Sequence, residues 1–186
     1  MHILAYAASN SSRSINGRLV AYAKAVLEEG LIADCTVEQI DIHDYEMPIY
    51  SIDRQHEGGI PDLAQKFFAK IGEADALVLS FAEHNGYYTA AYKNLHDWMS
   101  RIDRKVYQDR PTVMLSTSPG RRGGARVLAH ATASATSYGA DLRASLAVPD
   151  FNDNFDHETG RLVNPDIDQQ FKEALVKLVD HSTKHH

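Results

Sequence analysis

The chain has 186 residues, 44% hydrophobic and 24% charged, with one cysteine and a formal net charge of −6. That length suits one domain with a sizeable core, and the acidic balance without a long basic run argues against a nucleic-acid surface. No apolar run approaches the ~20 residues that cross a bilayer, and a lone Cys35 leaves no internal disulfide and fits a reducing compartment.

The first element is an apolar run, His2 to Ala8, which reads as a buried strand. It starts without the basic segment and apolar core of a signal peptide, so the expected location is the cytoplasm. The run breaks into Ser9-Asn10-Ser11-Ser12-Arg13-Ser14-Ile15-Asn16, and a helical pattern follows through Leu19, Tyr22, Ala23, Val26 and Leu27. A strand, a hydroxyl-rich loop with one cation and a helix N-terminus in that order build an anion site, because the first helical N–H groups lack partners and carry the positive dipole end. Four serines and two asparagines add donors, and Arg13 adds a fork of N–H bonds. The same loop can also be a polar turn in which Ser14 or Asn16 caps the helix. No G-x-G-x-x-G follows the strand, so a dinucleotide pyrophosphate is not the expected guest. No G-x-x-x-x-G-K-S/T is present either, which leaves a terminal monophosphate.

Cys35 to Ile42 alternates and reads as a second strand, with Cys35 as a buried structural thiol. Asp44 to Gly59 is a long connection, a functional flap or a surface loop. Pro61 to Ile71 is a short helix, and the continuous apolar run Ala74 to Phe81 is a central parallel strand buried on both faces. Tyr88 to Ile102 is helical, with Leu95, Trp98, Met99 and Ile102 on one stripe. Pro111 to Thr117 is a fourth strand. Gly124 to Tyr138 is an Ala-rich helix with Gly139 as its C-cap, and Ala140 to Val148 is a fifth strand. The acidic cluster Asp150 to Asp156 fails as a calcium loop, with Phe155 where Gly is needed and Arg161 where Glu is needed, and is expected to be a solvated loop. Pro165 opens a final helix running to about Val179. The terminal His185-His186 is set aside.

Five strands alternating with helices imply an α/β three-layer fold with a five-stranded parallel sheet, and right-handed crossovers favour the flavodoxin-like order 2-1-3-4-5 over residues 1–186 as a single domain. Ligands of such sheets sit beyond the carboxyl ends of the strands, where residues 9–16, 82–88 and 117–124 fall.

After the third strand stand Glu83-His84-Asn85-Gly86 and Lys93-Asn94-Leu95-His96-Asp97-Trp98, and after the fourth stand Ser118-Pro119-Gly120 and Gly123-Gly124. With Ser14-Ile15-Asn16 and Met47-Pro48-Ile49-Tyr50, these resemble the NADPH-dependent FMN reductase family, which includes quinone, chromate and azo-dye reductases. Nearly the whole chain is covered. The family loop opens with Gly-Ser-x-Arg where Ala8-Ser9-Asn10-Ser11 stands here, so the arginine is displaced to Arg13. The Tyr of the flavin turn is His84, a ring that can titrate.

The resemblance implies an oxidoreductase that holds FMN and takes NADPH or NADH as donor. It places the cofactor at Ser9, Ser11, Arg13, Ser14, Ile15 and Asn16 on the first loop, Glu83, His84, Asn85 and Gly86 on the second, and Ser118, Pro119, Gly120 and Gly123 on the third. The protein then binds, orients and tunes the flavin, and no protein acid, base or metal is required. A small-molecule acceptor is expected: a quinone, free flavin, azo compound or metal oxyanion, served in turn with the donor at one open face. The aromatic helix Tyr88 to Ile102 and the resemblance together imply a homodimer or homotetramer, without nucleic acid or membrane. A non-catalytic electron carrier of the flavodoxin kind, or a flavin-binding protein, is the alternative. The loop has no Gly before Gly17 and the charge is mild, which favours the enzyme. Arg121-Arg122 can attract a nicotinamide cofactor's phosphates or be plain surface charge.

Overall fold

The computed structural model describes residues 1–179, so His185-His186 lies outside the described residues. The strands are β1 (His2–Ala8), β2 (Thr36–Asp41), β3 (Ala76–Phe81), β4 (Arg110–Thr117) and β5 (Ala140–Val148). All are parallel, in the order β2-β1-β3-β4-β5 expected from the chain. The helices on the two faces are α1 (Ile15–Val26), α3 (Asp62–Glu73), α4 (Ala90–Met99), α5 (Ala125–Ala135) and α7 (Pro165–Val176).

Alternation along β1 divides the core. Ile3, Ala5 and Ala7 face the layer with α1 and α7, whereas Leu4, Tyr6 and Ala8 face α3, α4 and α5. Both faces are covered, which is why β1 and β3 are apolar runs rather than alternating ones. The register brings the strand ends level: Ala8 pairs with Phe81, Phe81 with Ser116, and Thr117 with Val148. The three loops that leave β1, β3 and β4 therefore start side by side.

Several expectations are corrected. The connection after β2 is not an open loop. A 3-10 turn spans Ile42–Tyr45 and a short helix, α2 (Ile52–Gly58), follows it. Between them, α4 holds the chain: Asn94 Oδ1 accepts the Tyr50 N–H at 2.8 Å, and Trp98 Nε1 donates to the Pro48 carbonyl at 2.8 Å. Cys35 precedes β2 rather than joining it, and is half-buried with its Sγ 3.3 Å from the Leu27 carbonyl. The acidic cluster is not merely solvated. Phe151 and Phe155 are buried in it, stacked at 4.5 Å. It forms a short helix, α6 (Phe151–Asn154), and a hairpin of β6 (Phe155–Asp156) and β7 (Arg161–Leu162), with Asp156 capping the turn. Helix α4 starts at Ala90 because Thr89 caps it and also donates to the Ala8 carbonyl at 2.9 Å. No helix among the described residues is long and apolar enough to cross a membrane.

On the outer side of α4, His96 packs edge-on to Tyr138 with ring centroids 4.5 Å apart, and lies near Tyr107 and Tyr92. Burial holds its pKa down at about 4 from the ordinary 6.5, with Asp97 opposing and Lys93 adding to the effect. Because the folded value is the lower one, the unfolded chain binds the proton more readily. His96 thus contributes stability above pH 6.5 that is lost as pH falls towards 4. The full loss is about 3 kcal/mol. Urea unfolding at a series of pH values should show His96→Phe with a shallower decline than wild type across that window. Parallel declines would refute the assignment.

Candidate functional site

The β1 loop is ordered by its own hydroxyls. Ser9 Oγ accepts the Ser11 N–H at 3.3 Å, Ser11 Oγ accepts the Arg13 N–H at 3.3 Å, and Ser14 Oγ caps α1 by accepting the Gly17 N–H at 3.1 Å. Each oxygen accepts from the backbone, so each hydroxyl proton is left to donate outward. The N–H groups of Ile15 and Asn16, the first two of α1, have no partner among the described residues. Five donors thus surround the positive end of one helix.

The Asn16 side chain does not join them. It is 2% exposed; its Oδ1 accepts from Ser80 Oγ at 2.8 Å and from the Thr117 N–H at 3.0 Å, and its Nδ2 donates to the Thr117 carbonyl at 3.1 Å. The expected phosphate role of this side chain is corrected accordingly: the amide is a brace between α1, β3 and β4, and only the Asn16 backbone N–H remains available.

After β3, His84 and Tyr87 exchange both backbone hydrogen bonds at 3.0 Å across Asn85 and Gly86. Those two residues have φ of 55° and 81°, the pattern of a two-residue type I′ turn, which the Asn-Gly pair accommodates with little strain. Glu83 lines the site, but its Oε2 accepts the N–H groups of Arg126 and Val127, both at 3.1 Å. Gly124, the α5 N-cap, has no side chain to do this, so the carboxylate of the neighbouring loop caps the helix and meets its positive end.

The β4 loop is fastened from β5. The Gly120 carbonyl accepts the Asp150 N–H and the Ser118 carbonyl accepts the Phe151 N–H, both at 3.1 Å. Gly123, at φ 55°, lies so close to β5 that a Cβ there would stand 2.6 Å from the Val148 carbonyl. It holds the loop down on β5.

Ser9, Ser11, Arg13, Ser14, Ile15, Asn16, Glu83, His84, Ser118 and Pro119 line one cavity of about 240 Å³. Asn85, Gly86, Gly120 and Gly123 do not line it. The sequence reading missed Ala82 and Thr117 in the wall, and Ser80 beneath it. A lone serine in an otherwise apolar strand was the available signal for Ser80. A wider groove of about 450 Å³ shares Ser9, Ser11 and Ser14 but opens between α1 and β2, away from the other two loops. Outside that cavity, Tyr88 lines a separate cleft with Tyr87, His130 and Tyr138, where burial pushes its phenol above its ordinary range.

The family model described as NADPH-dependent FMN reductase matches residues 1–153. The chain is 32% identical to a quinone reductase of Escherichia coli over 85 residues, 46% of this chain and 45% of the relative. It is 35% identical to an Arabidopsis thaliana NADPH:quinone oxidoreductase over 88 residues, 47% of this chain and 43% of the relative. In both cases the match spans less than half the relative's length. A probable NADPH:quinone oxidoreductase of rice is 28% identical across 96% of this chain and 90% of its own. Among solved structures, the flavoenzyme NAD(P)H:(acceptor) oxidoreductase FerB of Paracoccus denitrificans has the same fold, with a TM-score of 0.77 at 20% identity, covering 96% of this chain and 95% of that one.

Asn16→Ala would leave buried groups of Ser80 and Thr117 without partners, at roughly 1–3 kcal/mol each. The variant should lose about 3 kcal/mol in urea unfolding without any ligand added, whereas Ser12→Ala on the same loop should stay within about 0.5 kcal/mol of wild type. An Asn16→Ala protein as stable as wild type would remove the brace.

Proposed function

Because this chain belongs to the NADPH-dependent FMN reductase family, we propose that it holds one FMN and passes reducing equivalents from NAD(P)H to a small acceptor of the quinone class. The observation that carries this reading is the cavity itself. Unpaired N–H groups of Ile15 and Asn16 and three outward hydroxyls meet a space walled by the two other loops. This donor set fits a terminal phosphate: acceptor-only oxygens face donors that otherwise lack partners. Arg13 lines the same space and adds charge despite its displaced position in the loop.

The flavin, when bound, supplies the redox chemistry, accepting from a nicotinamide and giving to the acceptor. The chain's residues do the rest. The free N–H groups of Asn85 and Gly86 stand at the tip of a rigid turn, where they can meet the polar edge of a ring. His84 and Pro119 supply flat and apolar wall on either side of the cavity. With loops on both sides, one face stays open, and donor and acceptor use it in turn. Quinones, free flavin, azo compounds and metal oxyanions are the acceptors that such a slot serves, and the names of the relatives favour quinones.

We place the working form as a dimer. The Tyr87 ring is 43% exposed and, with Tyr88, His96, His130 and Tyr138, lines a cleft of about 330 Å³ between α4 and α5, beside the flavin turn. Aromatic surface at such a position is what a second copy covers. A single cysteine, Cys35, leaves no internal disulfide, which suits a reducing compartment, the cytoplasm.

Four measurements check this. Purified protein should carry flavin absorbance after FMN is added and excess removed. Ser9→Ala with Ser11→Ala removes two donors to a charged group, each worth roughly 1.5–3 kcal/mol, and should weaken FMN at least about a hundredfold by calorimetry. Initial rates with NADPH and a quinone both varied should give parallel double-reciprocal lines; intersecting lines would end the shared-face mechanism. Light scattering should give twice the chain mass, and a fully active monomer would contradict the dimer.

A further inference from the structure

The space at the α1 terminus is open on two sides. The cavity of about 240 Å³ and the groove of about 450 Å³ both have Ser9, Ser11 and Ser14 in their walls, so the two meet where α1 begins. Ser11 occupies the loop position at which the family carries an arginine, so a short hydroxyl lines both spaces. A phosphate held by these serines has the three-loop cavity on one side and the groove between α1 and β2 on the other.

The groove is built differently from the cavity. Ala7, Gly17 and Ala21 keep its walls low, and Ile40 adds an apolar side chain from β2. The fold does not require glycine at position 17. Its φ is not positive, it stands in the first turn of α1, where glycine weakens a helix, and a Cβ there would meet only Ser14, at 3.5 and 3.8 Å. What the missing side chain leaves is room in the groove. Two exposed charged groups complete the lining. Asp41 ends β2; its Oδ1 accepts the His43 N–H at 2.9 Å, and the carboxylate makes no ion pair among the described residues. Arg18 meets the His157 ring, and its remaining N–H groups have no acceptor among the described residues.

We propose that this groove receives the adenylate half of flavin adenine dinucleotide, so that the site that holds FMN also holds FAD. This rests on the reading under Proposed function, which puts a flavin phosphate on the α1 terminus. In FAD that phosphate carries a second phosphate and an adenosine, and the groove has a group for each part. Arg18 and the hydroxyls of Ser11 and Ser12 are donors to the second phosphate. Asp41 is an acceptor for the two hydroxyl protons of a ribose diol. Ala21 and Ile40 give a purine face an apolar wall, and the volume of the groove lies in the range of small-molecule sites. Hydroxyls and a guanidinium take the place of a glycine-rich turn, so the site needs no dinucleotide fingerprint.

Calorimetry of the flavin-free protein with FMN and with FAD tests this. Wild type should bind FAD at least as tightly as FMN. Ala21→Phe fills the groove one turn beyond Gly17, and should weaken FAD at least about tenfold while leaving FMN within about twofold. Asp41→Asn keeps an oxygen for the His43 N–H, and should also weaken FAD and not FMN. The FMN titration is therefore the check that each variant is folded. Wild type that binds FAD more weakly than FMN, or variants that leave FAD unchanged, overturn the assignment. Equal loss of both flavins in both variants overturns it too, because the effect then lies outside the groove. Adenosine 5′-monophosphate titrated into FMN-loaded protein separates the sources of an adenylate: if it binds there and Ala21→Phe abolishes that binding while FAD is unaffected, the groove serves a free nucleotide and the dinucleotide is excluded. A wild type that binds neither flavin instead overturns the function on which the proposal rests.

Discussion

The buried amide of Asn16 is the constraint on which the site depends. It sits on the first turn of α1, yet its three hydrogen bonds go to Ser80 on β3 and Thr117 on β4. Those two strands carry the other two loops. One side chain thus sets the height of the helix terminus relative to both walls, in a place too dry for water to substitute. Thr117 extends the link, since its Oγ1 donates to the Val148 carbonyl at 2.8 Å and reaches β5. A site built from three separate loops needs such cross-ties, because loops alone do not hold donors to the precision that ligand binding requires.

Backbone conformation does similar work at the rim. Asn85, Gly86, Gly123 and Gly124 all have positive φ. At the turn after β3 the I′ geometry leaves the N–H groups of Asn85 and Gly86 without partners among the described residues. At Gly123 it lets the β4 loop lie on β5 where a side chain has no room. Glu83 couples the two regions, since its carboxylate leaves the turn after β3 to cap α5, the helix that follows the β4 loop. Charge at one loop is engaged by the helix terminus of the next.

The stretch Lys93 to Trp98 has a role removed from the chemistry. Lys93 pairs with Asp97 one turn on, and Asn94 and Trp98 hold Met47 to Tyr50 against α4. The two segments that resemble the family most plainly outside the loops are therefore one structural unit, a staple across the sheet face. His96, on the same helix, turns to the aromatic cleft.

Much was legible in the chain before folding was considered. Apolar runs and helical periodicity set the strands, the helices and their order, because burial on two faces leaves a pattern that needs no tertiary knowledge. The three loops were legible for the same reason, as breaks between those runs. The use of each polar side chain was not legible. Asn16 and Glu83 have the donors and acceptors of ligand residues, and only the distances to Ser80, Thr117 and the α5 terminus show that they are engaged within the protein. The hidden order after β2 and in the acidic cluster around Phe151 and Phe155 was missed because it rests on contacts with distant elements, not on local propensity. Composition and period determine which elements form and where loops fall; which partner completes each hydrogen bond is decided only when strands far apart in sequence lie side by side.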